Sequence, residues 1–479
     1  MTSALHSPPE TPDIAGRPLF FCGIGGSGML PLAQIAHGSG HEVAGSDRSR
    51  DQGRTPSKFE WLEANGYSLF PQDGSGITSA DQILIASAAV EDTVPDAARA
   101  KEKQLSRMTR AELLSTFFNQ AGYSIAIGGT SGKSTVTGMI AWILSDTGHD
   151  PTVMNGAVMK NFVSEDNPFA SARIGNPALF VSEVDESDGS IALYRPTIGV
   201  LLNVSLDHKS IEELRVLFGD YVAASGCAAI NFDNKEARDL ARRANQYVSF
   251  GVNSADADIT VEPGSIAHTP LGIGAAIVDT RKREVFALNL PMPGEHNLAN
   301  ALAAIAAVSA AGVEVEAAVG ALRNFAGLAR RFDVVGTSKS DITVIDDFGH
   351  NPEKCAATLR TLKSTEGRVI AFFQPHGYGP LKQMGDELAQ VFADLSGEED
   401  ITIMCDPVYF GGTVDRSEGT ERIIKLIEDA GGSAEHIPSR DDCGNRLVEL
   451  AKPGDRIVIM GARDDTLSSF ARSVYERLS

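Results

Sequence analysis

The chain has 479 residues, 42% of them hydrophobic and 22% charged, with a formal net charge of −21. That length and composition describe a globular protein of several domains with more than one buried core. The acidity argues against nonspecific binding to nucleic acid or to an anionic membrane surface, so any phosphate must be held by local backbone and side-chain donors.

Residues 1–16 carry neither a basic n-region nor an apolar h-region and are expected to form a disordered tail. The five cysteines, Cys22, Cys227, Cys355, Cys405 and Cys443, are widely spaced without a C-x-x-C pair, so neither a disulfide framework nor a zinc ribbon is expected. Reduced thiols and a cytoplasmic location follow, with a monomer or homodimer as the expected assembly.

A first α/β block is expected over 17–119. Pro18–Cys22 reads as a strand, Met29–His37 as a helix, Glu42–Gly45 and Ile83–Ala86 as strands, and Arg110–Phe118 as a helix. A second block, over 120–332, opens with a strand at Ser124–Gly128 and a helix at Ser134–Ser145. Buried-type strands at Ala178–Val184 and Thr197–Asn203 follow, then an alanine-rich helix at Asn297–Ala311. That helix is too short and too weakly apolar to span a bilayer. A third block, over 333–479, has apolar runs at Ile342–Asp346, Arg368–Phe373, Asp400–Cys405 and Arg456–Met460. The fold class is α/β throughout: a Rossmann-like N-terminal domain, a central P-loop ATPase-like parallel sheet and a Rossmann-like C-terminal domain.

The segment Gly129–Thr135 lies between a predicted strand and a predicted helix and carries G-K-S-T. Gly129 and Gly132 let backbone N–H groups turn toward phosphate oxygens, and the following helix adds its positive N-terminus. Lys133 has the place of the lysine that reaches the β- and γ-phosphates, and Ser134 that of the Mg²⁺-binding hydroxyl. The usual spacing has a glycine where this chain has Ile127, so the loop is a variant. The run Val181–Asp188 ends a buried-type strand with Glu183, Asp185, Glu186 and Asp188, and Asn203–His208 ends the next. Carboxylates at strand ends suit Mg²⁺, with Glu183 as direct ligand; His208 could hold a second metal or orient a water, although Mg²⁺ favours oxygen. Residues 23–28 match G-x-G-x-x-G after a strand, with Asp47 after the next strand. Alone, this reads as dinucleotide binding, but the same loop would grip any diphosphate.

Taken together, Gly23–Met29, Gly129–Thr135, Glu183–Asp188, Asp207 with His208, Gly294–Asn297, Arg330–Phe332 and Asp346–Pro352 occur in the order of the Mur ligase family, and the chain resembles its alanine-adding members from about residue 17 onward. The resemblance implies three domains and an ADP-forming amide ligase. The first domain would hold the UDP end of a UDP-N-acetylmuramate-type acid, the second ATP and Mg²⁺, and the third would close over both and bring the amino acid. It assigns Gly25, Gly26, Ser27, Gly28, Met29, Ser46, Asp47 and Ser87 to the nucleotide sugar. It assigns Gly129, Thr130, Ser131, Gly132, Lys133, Ser134, Thr135, His296, Asn297, Asn300, Arg331 and Asp347 to ATP. Ser134, Glu183 and His208 become the metal ligands, and Lys133, Glu183, His208 and Arg331 the catalytic set. His350, Asn351, His376 and Arg463 are assigned to the amino acid. The alanine-adding members carry arginines where this chain has Gly377 and Gly379 or Pro380, which leaves Arg463, Arg416 and Lys382 as candidate replacements. The competing readings are a Mur-like ligase of another pathway (muropeptide recycling or cofactor amidation), a nucleotide-binding paralogue without ligase activity, and a nicotinamide oxidoreductase built on Gly23–Gly28.

Overall fold

The computed structural model describes residues 12–205, 209–408, 419–462, 464 and 466–479. These residues fall into two compact units. The first comprises the chain to residue 265 with 275–288 and 299–325, and the second comprises 266–274, 289–298 and 326–479.

The first unit contains two sheets. One has five parallel strands in the spatial order Ser68–Phe70, Val43–Ser46, Leu19–Cys22, Ile83–Ala86 and Ser106–Thr109. Its three central strands are buried along their whole length, as expected for short apolar runs covered by helices on both faces. The order reverses beside Leu19–Cys22, so a crevice opens where that strand and Ile83–Ala86 end, at residues 23–28 and Ser87.

The second sheet has a parallel core in the order Tyr247–Phe250, Cys227–Asn231, Ile198–Leu201, Tyr123–Gly128, Asn176–Glu183 and Pro151–Met154. The register sets Ile127 opposite Glu183 and Gly128 opposite Leu201, so the glycine loop after Gly128 emerges between the ends of the two neighbouring strands. Ile127 is fully buried strand core, which explains why the expected glycine is missing there. The sheet is mixed rather than purely parallel: Ala172–Arg173 adds antiparallel to one edge, and Ile259–Val261 pairs antiparallel with residues 277–279 near the other.

The two sheets share a core. Phe118, on helix Arg110–Gln120, packs its ring edge-on against Phe180 and Tyr194, with centroids 5.7 and 5.1 Å apart. Asn119 clamps the same junction, donating to the Leu193 carbonyl at 2.9 Å and accepting from Arg195 N at 2.9 Å.

The second unit is built on a six-stranded sheet in the order Asp333–Thr337, Thr343–Asp347, Arg456–Gly461, Val369–Gln374, Ile401–Met404 and Ala434–His436, parallel except for its first strand.

Of the segment expected as a tail, residues 12–16 are described. Ile14 is only 4% exposed and joins the core of the first sheet, because it is an apolar side chain one turn ahead of the first strand. Among the described residues no helix is long and apolar enough to cross a membrane.

Candidate active site

The loop Gly129–Gly132 joins strand Tyr123–Gly128 to helix Lys133–Asp146. Gly129 and Gly132 have φ of +141° and +86°, conformations that side chains rarely adopt. A Cβ on Gly132 would also lie 2.6 Å from Asn300 Oδ1. Asn203, at the end of the neighbouring strand, holds the loop open: its Oδ1 accepts from Ser131 N at 2.9 Å and from Thr130 Oγ1 at 2.7 Å. Its Nδ2 donates to the Ser131 carbonyl at 3.1 Å. Thr135 is buried within the first helical turn.

Two carboxylates meet the start of that helix. Lys133 Nζ donates to Glu186 Oε2 and to the Gly129 carbonyl, both at 2.7 Å. Glu186 is 4% exposed, so the ammonium and carboxylate compensate each other in a partly desolvated place. Ser134 Oγ donates to Glu183 Oε2 at 2.7 Å, and Asn155 Nδ2 fixes the Ser134 carbonyl at 3.0 Å. Gly156 lies directly over Glu183, where a Cβ would overlap the carboxylate. Burial works to raise the pKa of Asp185, but hydrogen bonds from Ser187 N and Oγ, with the charges of Lys133 and Arg110, outweigh it and hold the carboxyl below the usual range. The hydroxyl and carboxylate oxygens of Ser134 and Glu183 are hard donors of the kind Mg²⁺ takes, and glycine at 156 is what lets the backbone pass this close to them. His208 and Asp207 lie outside the described residues.

In the first sheet's crevice, Gly26 and Ser27 are exposed, Gly28 and Ser87 half-buried, and Met29 buried. Asp47 Oδ2 accepts from Gly25 N at 2.8 Å and Oδ1 from Ser49 N at 2.7 Å. Lys58 Nζ reaches the Gly25 carbonyl at 3.0 Å. Ser87 Oγ accepts from Ala89 N at 3.3 Å.

In the second unit, Arg330 and Arg331 stack on Phe348, their guanidinium carbons 5.0 and 4.4 Å from the ring centroid. Arg330 is further held by the Gly461 carbonyl at 2.6 Å and the Asp464 carbonyl at 3.1 Å. His350 Nδ1 lies 2.8 Å from the Phe348 carbonyl, and its ring stands 5.5 Å from that of His376. Burial, then the charge of Lys354, pushes the His350 pKa down to about 4, so the ring is neutral at neutral pH. His350, His376, Phe373, Pro375, Leu381 and Met384 line a small, largely apolar pocket.

Three sequence profiles match the chain in order: Mur ligase family, catalytic domain, over 19–121; Mur ligase middle domain, over 127–308; and Mur ligase, glutamate ligase domain, over 330–463. The UDP-N-acetylmuramate–L-alanine ligase of Agrobacterium fabrum is 32% identical over 462 residues, covering 93% of this chain and 94% of that protein. The enzyme of that name from Cereibacter sphaeroides is 34% identical over 481 residues, covering 96% of each. This chain belongs to the Mur ligase family. Among solved structures, a UDP-N-acetylmuramate–alanine ligase from Thermotoga maritima has the same fold, with a TM-score of 0.77 at 24% identity over 96% of this chain and 99% of that one. A murein peptide ligase from Psychrobacter arcticus gives 0.70 at 26% identity over 97% and 99%.

Several of the residues expected to contact ligands make defined contacts within the protein. Ser46 is fully buried and donates its hydroxyl to Asp96. The Met29 side chain is likewise core. Both Asp47 oxygens are engaged by backbone donors, which makes this carboxylate a shaper of the loop. Asp347 is 8% exposed and takes three donors, Phe332 N, Gly349 N and Thr358 Oγ1, each at 2.8 Å; its role here is to fix the Phe348 turn. Asn351 caps helix Pro352–Lys363 by accepting from Lys354 N at 2.9 Å. Asn297 is 2% exposed and donates to the Pro293 carbonyl at 2.7 Å, at the start of helix Glu295–Ala310, while His296 beside it is exposed. Arg463 and Arg416 lie outside the described residues, and Lys382 is an exposed residue of helix Tyr378–Asp394. The residues that sequence reasoning missed are Asn203, Asn155, Gly156 and Arg110.

Proposed function

We propose that this chain is an ATP-dependent, ADP-forming ligase that joins an amino acid to the carboxylate of UDP-N-acetylmuramate, the acid named for its relatives, with L-alanine as the amino acid named for them. The observation that carries the reading is the pairing of Lys133 with Glu186 and of Ser134 with Glu183 at the mouth of a glycine loop. A cation and a hard-oxygen pair at that spot are what transfer of a γ-phosphoryl group requires, since catalysis there is positioning and charge neutralisation.

In this reading the chain uses residues 17–119 for the nucleotide sugar, 120–332 for ATP and 333–479 for the amino acid. Gly129–Gly132 cradles the triphosphate, Asn203, which accepts from the N–H groups of Thr130 and Ser131, fixes the shape of the loop, and Lys133 leaves Glu186 to meet the phosphates. Ser134 and Glu183, with His208, would hold Mg²⁺, which when bound neutralises phosphate charge. Asn300 flanks the loop on the nucleotide side, and Arg331 adds a further positive charge. The substrate carboxylate attacks the γ-phosphorus and ADP leaves; the amine then attacks the acyl phosphate and phosphate leaves. Neutral His350, beside His376, would offer a hydrogen-bond acceptor to the incoming amine; with its pKa pushed down to about 4 it is too weak a base to take the ammonium proton.

Coupled ADP release, measured over a panel of amino acids with and without UDP-N-acetylmuramate, tests this function. Turnover is expected only when acid and amino acid are both present. Release that the nucleotide sugar does not stimulate contradicts the reading.

A further inference from the structure

Arg110 is the first residue of helix Arg110–Gln120 and follows strand Ser106–Thr109. Its side chain runs across Gly28, the N-cap of helix Met29–Gly38: a Cβ built on Gly28 would lie 3.1 Å from Arg110 Cδ and 3.4 Å from Nη1. Among the described residues the half-buried guanidinium has neither a hydrogen-bond nor an ion-pair partner. The nearest acid in sequence is not available to it. Glu112 closes a capping box, its Oε2 accepting from Thr109 N at 2.7 Å and from Thr109 Oγ1 at 2.9 Å. The other end of the helix is anchored by Phe118 and Asn119, so Arg110 is presented from a fixed element.

Its surroundings identify what it faces. The backbone N–H groups of Ser27 and Gly28 have no acceptor within the described residues, while those of Gly25, Gly26 and Met29 are taken by Asp47, Gly23 and Gly26. A five-donor planar fork beside two open N–H groups matches a diphosphate, which offers paired anionic oxygens.

We propose that Arg110 grips the diphosphate of the nucleotide-sugar substrate against the Gly26–Gly28 loop. This rests on the nucleotide-sugar reading above. It adds a residue that the motifs do not contain and predicts that affinity for UDP alone depends on it.

Isothermal titration of UDP and of UDP-N-acetylmuramate into the full chain, wild type, Arg110→Ala and Arg110→Lys, tests it. Loss of charge-assisted hydrogen bonds to Arg110→Ala should weaken both ligands on the order of 30-fold, with KM for ATP unchanged and the melting temperature held. Arg110→Lys should recover part of the loss, as a point charge without the fork. Unchanged UDP affinity in Arg110→Ala overturns the proposal, and if UDP-N-acetylmuramate alone is weakened, the guanidinium holds the carboxylate instead. A wild-type chain that binds neither ligand overturns the nucleotide-sugar reading itself, a result distinct from equal binding by wild type and variant.

Discussion

Lys133→Ala is expected to lower phosphate transfer from ATP by about 10³-fold, the scale on which a charge placed at a transferring phosphoryl group acts. The same substitution has a second consequence. Glu186 is 4% exposed and has Lys133 Nζ at 2.7 Å, so alanine strands a buried carboxylate without its cation. Breaking such a pair costs about 3 kcal/mol. Chemical denaturation should therefore show Lys133→Ala less stable than wild type, and the double variant Lys133→Ala/Glu186→Gln should recover stability without recovering turnover. That separation matters, because it divides the ammonium's balancing of Glu186 from the contact with phosphate proposed for it. Equal activity in Lys133→Ala and wild type, read as ADP release with both substrates saturating, would contradict the assignment.

Glu183→Gln carries the second large effect. The carboxylate accepts from Ser134 Oγ at 2.7 Å and packs against Gly156, where any side chain would collide with it. An amide of the same shape keeps that hydrogen bond and loses the negative charge that a small dication needs. Turnover should fall by about 10³-fold, and the Mg²⁺ concentration for half-maximal activity should rise. Stability of the protein without metal should move the other way or stay level. Asp185 and Glu186 stand within three residues of Glu183, and one negative charge fewer relieves repulsion among them. Activity titrated against Mg²⁺, set beside thermal unfolding in chelator, reads both. A variant with wild-type Mg²⁺ dependence would remove Glu183 from the metal site.

Much of this architecture is legible because parallel strands write themselves as short apolar runs and end on loops of small residues. The strands at Ile83–Ala86 and Ser124–Gly128 and the helix beginning near Met29 follow directly from that pattern. The G-K-S-T sequence likewise identifies its own loop, since local backbone and helix start are both encoded within ten residues. What stays hidden is lateral. Asn203 sits 72 residues from Ser131 in the chain yet holds its N–H at 2.9 Å, because strand order makes their strands neighbours. Arg110 has no motif around it, and its place over Gly28, 82 residues away, depends on a helix clamped by Phe118. The antiparallel strands near the end of the second sheet are obscured for another reason. Glu284–Leu290 alternates exposed and buried positions weakly and contains Asn289, so its pattern lacks the continuous apolar run of a buried strand.

The same logic explains why several motif residues turn out to be scaffold. A polar residue at a strand end can meet a ligand or can satisfy the loop that meets it. Asp47 and Asp347 do the second, each taking backbone donors that would otherwise be unpaired in a buried turn. The motif records that both are needed without distinguishing which task each performs. In the second unit Gly377 and Pro380 line a pocket bounded by Phe373, Leu381 and Met384. Its wall is apolar apart from His350 and His376, whose rings stand 5.5 Å apart.

The central claim is that a carboxylate is activated by phosphoryl transfer in the loop headed by Lys133. The direct measurement uses UDP-N-acetylmuramate labelled with ¹⁸O in its carboxyl group, with ATP and L-alanine, and mass analysis of the phosphate formed. The account predicts one ¹⁸O atom carried from the carboxyl group into each phosphate released. Phosphate free of label, formed at the same rate as ADP, would mean that water or another nucleophile takes the γ-phosphoryl group, and the ligase assignment would be wrong.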